Sequence, residues 1–360
     1  MFRNVKNIIK VASIYASTII GAGFASGQEI QQFFSMYYKG GFYGIIMAGI
    51  IFSIVGYLVL NKVYKEKIRN FDELIIPIAG LPVSRVLEAL IILFVFSLYC
   101  IMIAGIGNIV MQFTGMPNII CVSMTSFITM LVLSADIKGI TSFSTFVTPL
   151  MIIAMICIGI YIVIFHDAAA LNVLGVKIDF RRNWLFSSIL YAGYNSIMAI
   201  IVMCSLLPYL KTRRTGLMGG TLGGMVLMLI ALIINSAIAL YYPDRIYGEL
   251  PVVSILQKYN AVLSKAYMVI LMLAMFISAL TSGFCFADRV KARFKLPLKV
   301  ILPVFCAISI PLSNIGFSNL ISYLYPLFGY VGLFIILMVV FDSLRTYFCY
   351  KRKVIKIKNR

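Results

Sequence analysis

Residues 21–27 read Gly-Ala-Gly-Phe-Ala-Ser-Gly and lie inside the first long apolar run of the chain. Glycine is among the poorest helix formers, so three glycines within seven residues predict a break near the middle of this helix. A broken helix leaves N–H groups free at the start of one half and carbonyl groups free at the end of the other. In a membrane, such groups are tolerated only around a cavity or a bound polar ligand. The stretch therefore predicts a helix that passes a polar site.

The composition predicts an all-α integral membrane protein. Apolar residues make up 62% of the chain and charged residues 12%, whereas soluble domains are closer to half apolar and a quarter charged. Runs of roughly 17–25 apolar residues are needed to cross a bilayer. Ten such runs are predicted to be transmembrane helices, at about 8–36, 41–61, 83–112, 117–134, 142–165, 184–210, 216–242, 263–287, 299–313 and 317–345.

The distribution of basic residues predicts the orientation. The chain has 31 Lys and Arg against 12 Asp and Glu, a net charge of +19. With the amino terminus inside and ten crossings, 24 of the basic residues fall in inside segments and 7 in outside segments. Inside loops carry such an excess in membrane proteins, so both termini are expected in the cytoplasm, with 346–360 as a basic cytoplasmic tail. Because the basic residues sit in short loops between spans, no nucleic-acid partner is expected.

A short internal repeat relates the two halves of the chain. Residues 22–26 read Ala-Gly-Phe-Ala-Ser, and residues 192–196 read Ala-Gly-Tyr-Asn-Ser, each in the first span of a five-span half. Five is odd, so the halves at about 8–165 and 184–345 have opposite topology, and matched glycine-interrupted spans are typical of inverted-repeat transporters. The interpretation is one membrane domain over 1–360, with helices 1 and 6 both discontinuous. The alternative is that these glycines only allow close helix packing.

Three groups of polar residues within the spans are candidates for function. Glu29 is an acid inside span one, where ionisable residues are usually functional; it is predicted to bind an amine, couple protons or gate the outer side. The alternative for Glu29 is an interfacial acid that is paired or hydrated. Thr281 and Ser282 reach the depth of a cation site, although hydroxyls in helices usually bond to their own backbone. Tyr99 is a candidate pocket aromatic or a packing residue. Catalytic and cofactor motifs are absent from the sequence, so no enzyme activity and no cofactor are expected.

The run from Gly21 to Glu29 resembles the opening signature of the YkvI-like bacterial membrane proteins. That family is related to the amino acid–polyamine–organocation superfamily, and the similarity in span number and loop lengths extends over nearly the whole chain. The resemblance implies the LeuT-type fold, a five-plus-five inverted repeat with helices 1 and 6 unwound at the substrate site. It also implies a bacterial cytoplasmic membrane.

When the motif is aligned with the sodium–amino-acid symporters of this fold, the resemblance implies a substrate site and one sodium site. Phe24 stands where those symporters commonly carry an asparagine ligand of a second sodium ion. The sodium site would use carbonyl groups on span one and hydroxyl and carbonyl groups on span eight, namely Ser17, Ile20, Ser278, Thr281 and Ser282. The substrate would meet spans one, three and six at Gly21, Ala22, Gly23, Glu29, Tyr99, Ser188, Tyr191, Gly193 and Asn195.

We therefore expect a secondary active transporter, a cation-coupled symporter of a small polar organic solute such as an amino acid or related amine. Na⁺ is the favoured coupling ion and H⁺ the alternative. Spans 1, 2, 6 and 7 would rock against spans 3, 4, 8 and 9. The rival class is a membrane receptor or sensor subunit of the same fold, which would bind without flux; a channel comes third. The solute and the oligomeric state are not determined by the sequence.

Overall fold

The computed structural model describes residues 2–135, 138–165, 183–241 and 248–358, and all the regular secondary structure within these ranges is helical. A protein of this composition needs every backbone polar group satisfied within the chain, which helices achieve. The thirteen helices of the described residues are α1 Phe2–Ile19, α2 Ala22–Ala25, α3 Gln28–Phe33, α4 Lys39–Glu66, α5 Phe71–Thr114, α6 Asn118–Ala135, α7 Lys138–Ile164, α8 Trp184–Cys204, α9 Arg213–Ala239, α10 Pro251–Tyr259, α11 Ala261–Phe294, α12 Leu298–Ser313 and α13 Phe317–Lys358.

Seven helices in the described part of the chain are long and apolar enough to cross a membrane: α4, α5, α7, α8, α9, α11 and α13. Two further apolar helices, α6 and α12, are shorter, and the predicted first span is divided among α1, α2 and α3. These helices confirm a multi-pass membrane protein. The count of ten crossings and their orientation stay predictions.

The outward faces of the bundle are apolar, as expected for contact with lipid. On α4, Ile46, Ile50 and Ile54 follow one another at helical spacing, and each is more than 40% exposed. The opposite face of the same helix is buried and includes Phe52 and Gly56. A soluble protein rarely exposes so continuous an apolar face, so lipid is the solvent that suits this surface.

Helices α4 and α9, one from each predicted half of the chain, pack closely through glycine. A Cβ on Gly56 of α4 would lie 2.7 Å from the carbonyl oxygen of Gly220 on α9, and one on Gly49 would lie 2.6 Å from Met228 Cβ. Small residues let membrane helices approach in this way. The α4–α9 contact therefore runs along much of both helices and holds the bundle around α1 and α8.

The structure corrects the prediction that helix 6 is discontinuous. Helix α8 runs unbroken from Trp184 to Cys204, through the Ala-Gly-Tyr-Asn-Ser repeat. A Cβ on Gly193 would overlap the backbone of Gly329 on α13, and it would lie 3.1 Å from the amide nitrogen of Leu333. Gly193 therefore serves close helix packing, and a single glycine does not end a helix whose backbone bonds are otherwise complete.

Several boundaries differ from the predicted ones. Helix α5 begins at Phe71 and bends at Gly80, whose φ of +79° is non-helical, so most of the connection predicted at 62–82 is helical. Helix α13 continues through the predicted tail to Lys358. Helix α10 lies in the connection between the predicted spans 216–242 and 263–287, whereas 242–247 lie outside the described residues.

Candidate functional site

The first span is broken twice, which confirms and extends the prediction from its three glycines. Helix α1 ends at Ile19, Gly21 is extended with φ −99° and ψ −178°, and α2 then holds only four residues. A second break follows at Gly27, where φ is +84°, a conformation that glycine adopts without strain. At the first break, the carbonyls of Ser17 and Ile20 accept no backbone hydrogen bond from a described residue.

A cavity of about 830 Å³ adjoins the first break. It extends from the break toward the start of α1 and the end of α8, and α5, α7 and α11 complete its walls. Ten of the predicted site residues line it: Ser17, Ile20, Gly21, Ala22, Gly23, Glu29, Asn195, Ser278, Thr281 and Ser282. The structure thus brings together the break of span one, the hydroxyl residues of span eight and one polar residue of span six.

Glu29 is the one acidic residue among the described residues of this cavity wall. Its side chain is only 4% exposed, and its Oε2 accepts a hydrogen bond of 2.5 Å from the hydroxyl of Tyr194. The carboxyl group folds back over the break, so a Cβ on Gly23 would overlap Oε1 and lie 3.1 Å from Cδ. Within the described residues, Glu29 forms no ion pair; both ion pairs there involve Lys62. The alternative in which a lysine neutralises Glu29 is therefore not what the structure shows.

Two tyrosines that line the cavity beside Glu29 were not predicted as site residues. The rings of Tyr194 and Tyr325 stack with centroids 4.3 Å apart, and both line the cavity. Tyr194 is the aromatic residue of the Ala-Gly-aromatic-x-Ser repeat, so the repeat itself was a signal for it. Tyr325 lies in an apolar run without a motif, and only the packing of α13 against α8 brings it here.

The hydroxyls of span eight line the cavity and donate to their own helix. Thr281 Oγ1 donates to the Ile277 carbonyl at 2.9 Å, and Ser282 Oγ donates to the Ser278 carbonyl at 2.6 Å. This is the backbone bonding considered as the alternative to a cation role. It uses the hydroxyl hydrogen and leaves oxygen lone pairs facing the cavity, so the oxygens are still available to a cation.

The remaining polar wall residue of span six is Asn195, whose amide donates to the Tyr191 carbonyl at 3.1 Å. Its side chain is 8% exposed and lines the cavity. That bond fixes the amide group against α8 and leaves the side-chain carbonyl oxygen as an acceptor for a ligand.

Four predicted substrate contacts do not line the cavity. Tyr99 is fully buried against α6, where its hydroxyl bonds Thr129 Oγ1 at 2.7 Å. Ser188 donates to the Trp184 carbonyl one turn earlier. Tyr191 is buried in a cluster of aromatic rings, and Gly193 packs on α13. Three of the four face neighbouring helices and Ser188 bonds within α8, and sequence position alone does not determine which helix face meets the cavity.

The far side of the break is closed by hydrogen bonds between several elements. Gln28 Nε2 donates to Ser318 Oγ at 2.5 Å, and the Ser318 N–H donates to Glu249 Oε2 at 2.6 Å. At the second break, the Val252 N–H at the start of α10 donates to the Ser26 carbonyl at 3.1 Å. These contacts join α3, α13 and the segment before α10, so the cavity has no wide opening through them.

Comparison with known proteins gives relatives of nearly full length and neighbours of the same fold. No family model matches the chain. The uncharacterized membrane protein YkvI of Bacillus subtilis (strain 168) is 26% identical over 325 residues, which cover 90% of this chain and 92% of YkvI. The uncharacterized protein YyaD of the same strain is 23% identical over 323 residues, covering 90% of this chain and 93% of YyaD.

Among solved structures, MhsT in complex with L-phenylalanine matches with a TM-score of 0.62 at 15% identity, over 92% of this chain and 87% of MhsT. The Eremococcus coleocola manganese transporter matches with a TM-score of 0.61 at 14% identity, over 92% of this chain and 78% of that one. At such identities the likeness shows the fold alone. These comparisons confirm the resemblance to the YkvI-like membrane proteins and show that the chain has the LeuT-type fold.

Proposed function

We propose that this protein is a secondary active transporter that carries a small organic solute with an amino group by alternating access. The main support is the position of Glu29, a buried carboxyl group without an ion-pair partner among the described residues, at the wall of a large cavity beside a broken helix. A buried carboxylate is stable when a cation reaches it, and an amino group of the solute would be that cation.

The shape of the site supports alternating access. The cavity reaches toward the start of α1 and the end of α8, while hydrogen bonds around Gln28 and Ser318 close the opposite side. In the orientation predicted from the basic residues, the open side is cytoplasmic, in a bacterial cytoplasmic membrane with both termini inside. We assign the structure to the inward-facing state, from which the outer contacts would separate as the inner cavity closes.

Na⁺ is the coupling ion in this proposal. Carbonyl and hydroxyl oxygens are hard ligands that suit such a cation, and the cavity wall supplies both kinds. Ser17 and Ile20 contribute carbonyls released by the end of α1, and Thr281 and Ser282 contribute hydroxyl oxygens. The Ser278 carbonyl, the fifth predicted ligand, already accepts the Ser282 hydroxyl. The alternative coupling ion, H⁺, would use Glu29.

The relatives with known structures are consistent with this class of function. The structure of MhsT contains L-phenylalanine, a small solute with an amino group. The Eremococcus coleocola protein is a manganese transporter, so the fold also carries metal ions. Among the described residues that line the cavity, Glu29 is the only acid, and one carboxylate is a poor match for a divalent cation. This difference favours an organic solute over a metal.

Uptake into proteoliposomes tests the proposal. Purified protein is reconstituted, and accumulation of radiolabelled amino acids and amines is measured with an inward Na⁺ gradient and without one. The double variant Thr281→Ala, Ser282→Ala should lose Na⁺ dependence while keeping its thermal stability, because both hydroxyls bond only to their own helix. Ser97→Ala is the matched control, since that hydroxyl also donates to the carbonyl four residues earlier but lies outside the cavity.

Three results would contradict parts of the proposal. Binding without accumulation would favour the receptor, and ion current without any solute gradient would favour a channel. Na⁺-dependent uptake that survives the double variant would remove the sodium site from span eight.

A further inference from the structure

The carboxyl group of Glu29 occupies the space beside the first break of span one. The N–H groups of Ala22, Gly23 and Phe24 begin α2 and form no hydrogen bond with a described residue. A carboxylate of an amino acid could accept hydrogen bonds from such free N–H groups. However, Glu29 Oε1 already packs against Gly23 so closely that any Cβ there would overlap it. A ligand carboxylate reaching Gly23 would therefore meet a second carboxylate.

The charges of the cavity wall also disfavour a ligand carboxylate. Among the described residues that line the cavity there is no Lys, Arg or His, and Glu29 is the one acid. A zwitterion would bring its own carboxylate into a wall without a basic side chain, next to a like charge that disfavours it. A ligand with an ammonium group and no carboxylate would pair with Glu29 without placing a second carboxylate beside it.

The rest of the wall is mainly apolar. It presents aromatic, thioether and branched aliphatic side chains from α5, α7, α8 and α11: Phe94, Leu98, Met102, Met151, Met198 and Ile277. Burial of apolar surface drives association with such a wall, so the ligand gains from an apolar body. The volume of about 830 Å³ accepts an aromatic or branched group with room to spare.

We propose that the solute is an organic amine without a carboxylate, with its ammonium group at Glu29 and an apolar body against the α5, α7 and α8 walls. This inference rests on the proposed function, since it takes the cavity to be the solute site. It deepens that function by making Glu29 the protein's own replacement for the carboxylate of an amino acid. Specificity would then follow from a carboxylate that the protein keeps in place at the break.

Matched pairs of ligands test the proposal directly. Purified protein in detergent is titrated with an amino acid and its decarboxylated counterpart, and binding is measured by calorimetry and by thermal shift. The pairs are phenylalanine with phenethylamine, leucine with isopentylamine, valine with isobutylamine and tyrosine with tyramine. The buffer is sodium phosphate without Tris, because Tris is itself an amine. We expect at least one amine to bind 10-fold or more tightly than its parent amino acid.

Variants of Glu29 test whether its carboxylate causes the preference for amines over amino acids. Glu29→Gln keeps the size of the side chain and removes its charge, so amine affinity should fall at least 10-fold. Glu29→Ala removes the like charge beside Gly23, so the preference should shift toward the parent amino acid. Asp72→Asn is the control, because Asp72 is an exposed carboxylate in the first turn of α5. If the Glu29 variants do not fold, Tyr194→Phe, which releases the carboxyl group, should weaken amine binding.

The outcomes separate this inference from the proposed function. Amino acids that bind as tightly as their amines, or tighter, overturn the inference and leave the transporter proposal standing. Amine binding that is unchanged in Glu29→Gln also overturns it. If no member of any pair binds or is taken up, both the amine assignment and the solute site in this cavity are wrong.

Discussion

Substitution of Gly23 by alanine is the sharpest test of the geometry at the break. A Cβ at this position would overlap Glu29 Oε1 and approach Glu29 Cδ to 3.1 Å. The carboxyl group sits at the end of a flexible side chain, so it would move rather than the backbone. In moving, it would lose the 2.5 Å hydrogen bond from Tyr194. Hydrogen bonds to charged groups contribute about 1.5–3 kcal/mol, so amine affinity should fall by roughly 10- to 150-fold.

Gly21→Ala is the matched control for this experiment. Gly21 lies two residues earlier and also lines the cavity, but a Cβ there has nothing within 4 Å and its φ of −99° suits alanine. Affinity is measured by isothermal titration with the tightest amine for wild type, each glycine variant and Tyr194→Phe. Combining Gly23→Ala with Tyr194→Phe should add little to either change alone, because both remove one interaction. Equal effects of Gly21→Ala and Gly23→Ala, or full additivity with Tyr194→Phe, would refute the reasoning.

Two further predictions concern stability, both read as the thermal midpoint in detergent. Gly193→Ala should lower the stability of the protein by about 1–3 kcal/mol, because the added Cβ would press on the rigid backbone of α13. A thermal midpoint no lower than that of Gly21→Ala would contradict this packing. Asp342→Asn should destabilise by roughly 1–3 kcal/mol, because it removes the more buried of the two carboxylate partners of Lys62, the one that joins α4 to α13. Glu66 has a side chain that is 45% exposed, so Glu66→Gln should change stability by less than about 0.5 kcal/mol. If Glu66→Gln destabilises more than Asp342→Asn, the ion pair between α4 and α13 is not the stronger of the two.

The broken first helix was predictable because it depends on local chemistry. Gly21 and Gly27 lower the helix propensity of this run, and both positions are non-helical in the structure. The matching repeat in span six predicted a break that α8 does not have, because the role of its glycine is set by contacts distant in the sequence. Gly193 is a single glycine in a strongly apolar helix, and its effect depends on the backbone of α13, more than 130 residues away.

The candidate site was predicted in part for the same reason. Glu29 and Thr281 stand out in the sequence because polar groups are costly within a membrane span, and both line the cavity. Tyr99 and Tyr325 look alike in the sequence, as tyrosines in apolar runs. One is buried against α6 and the other lines the cavity beside Tyr194, and the difference lies only in which neighbour each helix face meets.

The sequence by itself determined that this is a membrane protein. It also determined the approximate positions of the apolar helices and the position of the break in the first of them. These features follow from the hydrophobicity of short runs and from the backbone freedom of glycine, both of which are local. The tertiary structure alone decided that Glu29 folds back on Gly23, that Tyr194 holds it there and that α8 stays continuous. Those outcomes depend on packing between helices distant in the chain, because an amphipathic pattern specifies that a face is buried but not which partner covers it.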